Sequence, residues 1–64
     1  MPIITIEMLA GRSADQKRAV AAALTDVAVE VLAVERSTVQ VHLHEMAPGD
    51  VAIGGQLVSD LRPA

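Results

Sequence analysis

Hydrophobic and polar residues follow three patterns along the 64-residue chain. Residues 2–9 are apolar on both alternating faces, which is typical of a strand buried on two sides. From Ala14 to Val34, valine and leucine recur at spacings of three and four, as in an amphipathic helix. Residues 38–46 alternate strictly between apolar and polar, which predicts a half-buried strand.

The predicted helix has a clear start and one apolar stripe. Ser13 followed by Gln16 reads as a capping box, and Asp15 suits the positive end of the helix dipole. The residues predicted to face the core are Val20, Leu24, Val27, Val31 and Val34. Three further apolar residues outside this stripe are predicted to contact a neighbouring subunit: Ala22, Val29 and Ala33.

Strand, helix and strand in this order predict a β-α-β unit with parallel strands. Residues 47–50 (Ala-Pro-Gly-Asp) are typical of a turn, and Gly54-Gly55 within residues 51–58 indicates a short hairpin. The expected fold is therefore α/β (α+β), with one domain over residues 1–64 that consists of a β-α-β unit and a short C-terminal β-hairpin.

Composition indicates that the chain does not fold alone. It has no cysteine and no Phe, Tyr or Trp, yet 52% of its residues are hydrophobic. A core this small is marginal in an isolated domain, and other copies of the chain can cover the remaining apolar surface. We therefore expect an obligate oligomer.

Charge and hydropathy exclude two classes of partner. A net charge of −3 without a cluster of Lys or Arg argues against nucleic acid. The most apolar stretch, residues 19–34, contains Thr25, Asp26 and Glu30, which argues against a membrane span. Because residues 1–9 lack the basic region of a signal peptide, we expect a soluble, cytoplasmic protein.

Pro2 is a candidate catalytic residue. Proline is tolerated as the first residue of a strand, and this role alone would account for it. Removal of Met1 would, however, leave Pro2 with a free secondary amine. An α-amino group has a pKa of about 7.7–8.0, and apolar neighbours such as Ile4 and Ile6 lower the pKa of an amine. Such an amine can act as a general base or nucleophile.

The chain resembles the 4-oxalocrotonate tautomerase family over nearly its whole length. The residues that carry the resemblance are Pro2, Gly11-Arg12-Ser13, Gln16-Lys17, Glu45-Met46-Ala47 and Ile53-Gly54-Gly55. The resemblance implies protomers whose strands pair into an intersubunit sheet, and a hexamer built as a trimer of dimers with active sites at subunit boundaries. Homo- and hetero-hexamers both remain open.

The same resemblance implies an isomerase of aromatic catabolism that interconverts the enol and keto forms of a small unsaturated 2-oxo or 2-hydroxy acid. Pro2 would be the general base, without a metal or an organic cofactor. Arg12 corresponds to the arginine that binds a substrate carboxylate, for which a guanidinium offers a matching pair of donors. The alternative for Arg12 is a solvated side chain before the helix cap.

Two positions depart from the family pattern. Gln40 stands where a second arginine polarises the substrate carbonyl, and a neutral donor stabilises an oxyanion less well. Val51 replaces an aromatic residue that keeps the proline pocket dry. Proline-dependent decarboxylation or dehalogenation of a small acid is therefore an alternative, as is a low-activity or non-catalytic subunit of a hetero-oligomer.

His42 and His44 are predicted on the same strand face as Gln40. Either could replace the missing arginine as a donor or proton relay, or could simply be an exposed or interface histidine. Two imidazoles are too few for a zinc site, and Glu45 falls on the opposite face, so no metal site is expected.

Overall fold

Two parallel strands form the centre of the protein, whose computed structural model describes residues 1–61. Strand β1 (Ile3–Leu9) pairs with strand β2 (Gln40–Met46) along its full length, with Ile3 opposite Gln40. The parallel pair confirms the β-α-β prediction, although β2 begins two residues later than predicted. A short 3₁₀ turn over Arg36–Thr38 precedes it.

Helix α1 (Ala14–Leu32) connects the two strands. The predicted capping box is confirmed: the Ser13 hydroxyl accepts from the Gln16 backbone N–H at 3.1 Å, and the Gln16 amide oxygen accepts from the Ser13 N–H at 3.0 Å. The helix ends two residues before the predicted Val34, because Ala33 adopts a left-handed conformation with φ 54°.

The helix covers one face of the sheet and leaves the other face open. The half-buried residues of the covered face are Ile4, Ile6, Met8, Val41 and Leu43. The open face carries exposed side chains, which are Ile3, Thr5, Glu7, Gln40, His42 and His44. The prediction that β1 is buried on both sides is therefore wrong within the protomer, where Ile3 is 58% exposed.

The predicted core stripe is correct at its two ends and wrong in its middle, since Val34 is half-buried like the first two members. Val20 and Leu24 are half-buried, but Val27 and Val31 are 58% and 73% exposed, and Ala28 is buried instead. Of the predicted subunit patch, Val29 is half-buried. The exposed apolar face of α1 is instead formed by Val27, Val31 and Leu32. No helix within residues 1–61 is long and apolar enough to cross a membrane.

The C-terminal segment contains the predicted hairpin and one helix that the sequence did not indicate. Strands β3 (Ala52–Ile53) and β4 (Gln56–Leu57) are antiparallel, and Gly54 and Gly55 connect them with φ 60° and 85°, as a two-residue hairpin loop requires. Helix α2 (Val58–Leu61) follows, and residues 48–61 make their main contacts among themselves. The last three residues of the predicted domain lie outside the described residues.

The protomer is more extended than an independent globule of its size. Its radius of gyration is 15.1 Å, whereas about 11 Å is expected for 64 residues. Its accessible surface of 4717 Å² likewise exceeds the roughly 3,900 Å² expected from its mass. The surplus lies partly on the open sheet face and the exposed apolar face of α1.

Candidate active site

Pro2 lies one residue before β1 and its side chain is half-buried. The Gln40 backbone N–H donates to the Pro2 carbonyl oxygen at 3.0 Å, so the start of β1 is fixed to the start of β2. With Met1 attached, the Pro2 nitrogen is a tertiary amide that has no basicity. The chemistry predicted for Pro2 therefore requires that Met1 be removed.

Arg12 lies at the opposite end of β1, in the loop that leads into α1. Gly11, with φ 123°, turns the chain at this point, and a left-handed conformation of this kind favours glycine. The Ala10 N–H donates to the Met46 carbonyl oxygen at 2.9 Å and holds the start of the loop against the end of β2. The capping box holds the other end of the loop.

A groove of about 320 Å³ lies between β1 and the start of α1. Its lining residues are Ile6, Met8, Arg12, Gln16, Lys17 and Val20. Arg12 is the only cationic side chain of residues 1–61 without a carboxylate partner, because Lys17, Arg18 and Arg36 are each paired. The groove thus combines an apolar wall with one guanidinium that is available to an external anion.

Lys17 and Glu45 form an ion pair between α1 and the end of β2, with side chains 34% and 30% exposed. The sequence pattern alone predicted no role for either side chain. The sequence nevertheless contained a signal for this contact. Lys17 lies three residues before Val20 on the helix, and Glu45 falls on the helix-facing side of the alternating strand. The pair fixes the first turn of α1 next to Arg12.

Gln40 and His42 meet on the open face of the sheet. His42 Nε2 lies 3.1 Å from Gln40 Oε1, and Gln40 Nε2 donates to Met1 Sδ at 3.0 Å. Gln40 is therefore the predicted site residue whose side chain reaches the N-terminal segment. His44 lies further along the strand, in register with Glu7, and is not joined to Gln40.

Val51 lies outside this group of residues. It follows a 3₁₀ turn over Pro48–Asp50, is half-buried, and accepts a hydrogen bond on its carbonyl oxygen from the Val58 N–H at 2.8 Å. Since residues 48–61 pack mainly on themselves, the protomer does not assemble Val51 and Pro2 into one pocket.

Pro2 and Arg12 are also too far apart to act on one small molecule within a protomer. The whole of β1, a seven-residue strand about 23 Å long, lies between them. Among residues 1–61, β1 has a strand on one edge only. If the free edge paired antiparallel with β1 of a second copy, Pro2 of one chain would lie beside Arg12 of the other.

The described part of the chain brings no three His, Cys, Asp or Glu side chains together as a metal site would need. His42 and His44 share a face, whereas Glu45 is engaged with Lys17 on the other side of the sheet. The Arg12 guanidinium beside the apolar groove is suited to binding an anion.

The chain is similar to known proteins over nearly its full length. A family model described as "Tautomerase enzyme" matches residues 2–61. A probable tautomerase of Listeria innocua is 41% identical over 61 residues, which are 95% of this chain and 100% of the relative. A 2-hydroxymuconate tautomerase of Pseudomonas putida is 37% identical over 62 residues, with 97% and 98% of the two chains covered.

Solved structures show the same fold. A subunit of a heterohexameric 4-oxalocrotonate tautomerase from Chloroflexus aurantiacus superposes with a TM-score of 0.88 at 34% identity. The match covers 97% of this chain and 100% of the other. The β-α-β unit with its C-terminal hairpin is thus an arrangement that these enzymes share.

Proposed function

Since this chain belongs to the tautomerase family and is an isomerase, we propose that it interconverts the enol and keto forms of a small unsaturated 2-oxo or 2-hydroxy acid, with Pro2 as the general base. The observation that carries the proposal is the Arg12 guanidinium, which borders an apolar groove and has no carboxylate partner among residues 1–61. A substrate with one carboxylate and a short carbon chain fits that combination.

The proton moves as follows in the proposed reaction. After removal of Met1, the neutral Pro2 nitrogen accepts a proton from the 2-hydroxyl group of the enol form. The negative charge then spreads over the oxygen at C2 and the conjugated carbons, and Pro2 returns the proton to carbon to give the 2-oxo form. No oxidant or reductant takes part, and Pro2 ends in its initial state.

Arg12 and Gln40 take complementary roles in this proposal. Arg12 binds the substrate carboxylate and so orients the acid along the groove. Gln40 donates a hydrogen bond to the oxygen that gains charge, because its amide nitrogen already points toward the N-terminal segment. Val51 closes part of the apolar surroundings, and His42 belongs to the polar side of the site, whereas His44 lies further along the strand and takes no part in it.

The site is proposed to form between subunits. Pro2 and Arg12 stand at opposite ends of β1, so antiparallel pairing of two copies along this edge creates two equivalent sites. The extended protomer and its exposed apolar side chains support assembly beyond the dimer, and the solved heterohexameric relative supports a hexamer.

The test uses protein whose mass shows that Met1 is absent, assayed on small enol acids. Pro2→Ala should abolish turnover, whereas Arg12→Ala should mainly raise KM because it removes the carboxylate partner. Arg18→Ala is the matched control, since Arg18 is exposed and paired with Asp15 on the same helix. A Pro2→Ala protein that retains the native rate would refute the proposal.

A second candidate is a non-catalytic subunit of a hetero-oligomer. Gln40 and Val51 depart from the usual site residues, and the Chloroflexus aurantiacus relative is a heterohexamer. This candidate predicts that the processed chain alone neither forms a hexamer nor turns over any enol acid. Native mass spectrometry and the same assay distinguish it from the first proposal.

A further inference from the structure

The side chains of Gln40 and His42 form a hydrogen-bonded pair on the open face of the sheet. Gln40 Oε1 can only accept, so His42 Nε2, at 3.1 Å, must carry the proton and donate it. The other end of the same amide, Gln40 Nε2, donates to Met1 Sδ at 3.0 Å. The imidazole and the N-terminal segment therefore bind opposite ends of one amide group.

An amide that acts as an oxyanion donor has two orientations with opposite effects. With the nitrogen toward the substrate it stabilises negative charge, whereas with the oxygen toward the substrate it repels that charge. A glutamine with no partner on its oxygen can rotate between them. A donor held against Oε1 selects the orientation in which Nε2 faces outward, and it also strengthens the N–H as a donor.

We infer that His42 is a positioning residue, which holds the Gln40 amide with its nitrogen directed at the substrate oxygen that gains negative charge. The inference rests on the proposed function and adds a residue to it. Met1 Sδ, a weak acceptor, takes the position on Gln40 Nε2 that the substrate oxygen would take after removal of Met1.

The neighbouring groups of the open face distinguish His42 from His44. Thr5 lies opposite His42 in the sheet and is uncharged, and Glu7 lies opposite His44. Both histidines are exposed and lie on the same strand, but only His42 contacts Gln40. His44→Ile is therefore a matched control for His42→Ile, because both changes put a β-branched residue into the same strand face.

Kinetics test whether His42 acts through Gln40. We expect His42→Ile to lower kcat about tenfold with little change in KM, since the hydrogen bond governs an amide used in the transition state. His42→Gln, which restores an N–H donor, should recover most of the loss, and His44→Ile should leave kcat unchanged. In a Gln40→Ala background, His42→Ile should have no further effect.

The hydrogen bond itself can be tested without any assay of activity. Long-range ¹H–¹⁵N NMR should show the neutral His42 ring protonated on Nε2, and Gln40→Ala should shift that signal while leaving the His44 signal in place. A ring protonated on Nδ1 would overturn the inference even if Pro2 proved to be the base. The inference would also be overturned if His42→Ile lowered kcat equally in the native and the Gln40→Ala proteins. A native rate in Pro2→Ala would instead refute the proposed function.

Discussion

Lys17 in the first turn of α1 forms an ion pair with Glu45 near the end of β2. The Ala10 N–H joins the same end of β2 at the Met46 carbonyl oxygen. Both ends of the loop that carries Arg12 are therefore attached to β2, one at Met46 and the other, through the first turn of α1, at Glu45. The backbone of Arg12, the proposed carboxylate anchor, is thus held in place by the fold, although its side chain has no ion-pair partner in the described part of the chain.

Glu45→Gln should destabilise the protein more than the loss of an exposed ion pair does. It leaves the partly buried Lys17 ammonium without its counter-charge, and we expect a loss of about 1 kcal/mol in the free energy of unfolding. Asp26→Asn breaks the more exposed pair with Arg36 and should cost only a few tenths of a kcal/mol. Urea unfolding at one fixed protomer concentration measures both, and equal losses would contradict the prediction.

Ser13→Ala should weaken the start of α1 and, through it, binding at Arg12. The change removes the acceptor for the Gln16 N–H and should cost about 1 kcal/mol of stability. Because Arg12 precedes the cap directly, KM for the carboxylate substrate should rise while kcat changes little. Ser37→Ala is the control, since the Ser37 hydroxyl makes no hydrogen bond within the described part of the chain. A KM that stays at the native value would show that the cap does not order the loop.

Val31→Lys should disrupt assembly without harming the isolated protomer. Val31 is 73% exposed, and lysine favours a helix more than valine does, so a free protomer would tolerate the change. At a subunit interface the added charge would be buried, and we expect association to weaken at least ~10-fold. Sedimentation velocity measures the effect, with Glu30→Gln as a control that changes the charge by the same amount. An unchanged oligomer would place Val31 outside any interface.

The double variant Gln40→Arg with Val51→Phe should raise the turnover of dienol acids. The arginine adds a charged donor for the developing oxyanion, and the aromatic ring makes the proline pocket drier. Since one donor of this kind contributes about 100- to 1,000-fold, we expect a gain of at least tenfold in kcat. Steady-state kinetics on protein of verified oligomeric state provides the measurement. If kcat did not rise although the oligomer was intact, these two positions would not be what limits activity.

The sequence was sufficient to predict those parts of the fold that depend on local chemistry. Alternation along residues 38–46, the capping box at Ser13 and the Gly54-Gly55 pair each specify a backbone conformation, and the structure contains all three. Helix α2 was missed because four residues are too few to show a helical period.

The rotation of α1 could not be predicted in the same way. Every residue from Ala19 to Leu24 is apolar, so a stripe through Val27 and one through Ala28 fit the sequence equally well. In the structure the small Ala28 side chain is buried, and the Lys17–Glu45 ion pair joins α1 to β2, so the stripe through Ala28 is the one that faces inward. Both features depend on contacts with distant parts of the chain, which the pattern within the helix does not show. The helix also spans about 28 Å against about 23 Å for the strands, which leaves its last turn beyond the sheet.

The candidate site was harder to predict than the fold, because it is not contained in one protomer. Pro2, Arg12 and Val51 lie in three separate places, and only the relation between Gln40, His42 and the N-terminal segment is present in a single chain. A sequence can indicate which residues carry chemistry. It does not show which copy supplies each of them.

The free edge of β1 has a consequence for the newly made chain. Alternate residues of this seven-residue strand direct their backbone N–H and C=O groups to a side where the described residues provide no strand, and the strand also carries the exposed apolar Ile3. Such an edge accepts any extended segment, so misfolded neighbours and aggregates compete with the correct partner. Rapid synthesis of the chain in excess would therefore favour inclusion bodies, and slow expression would favour recovery of properly assembled protein.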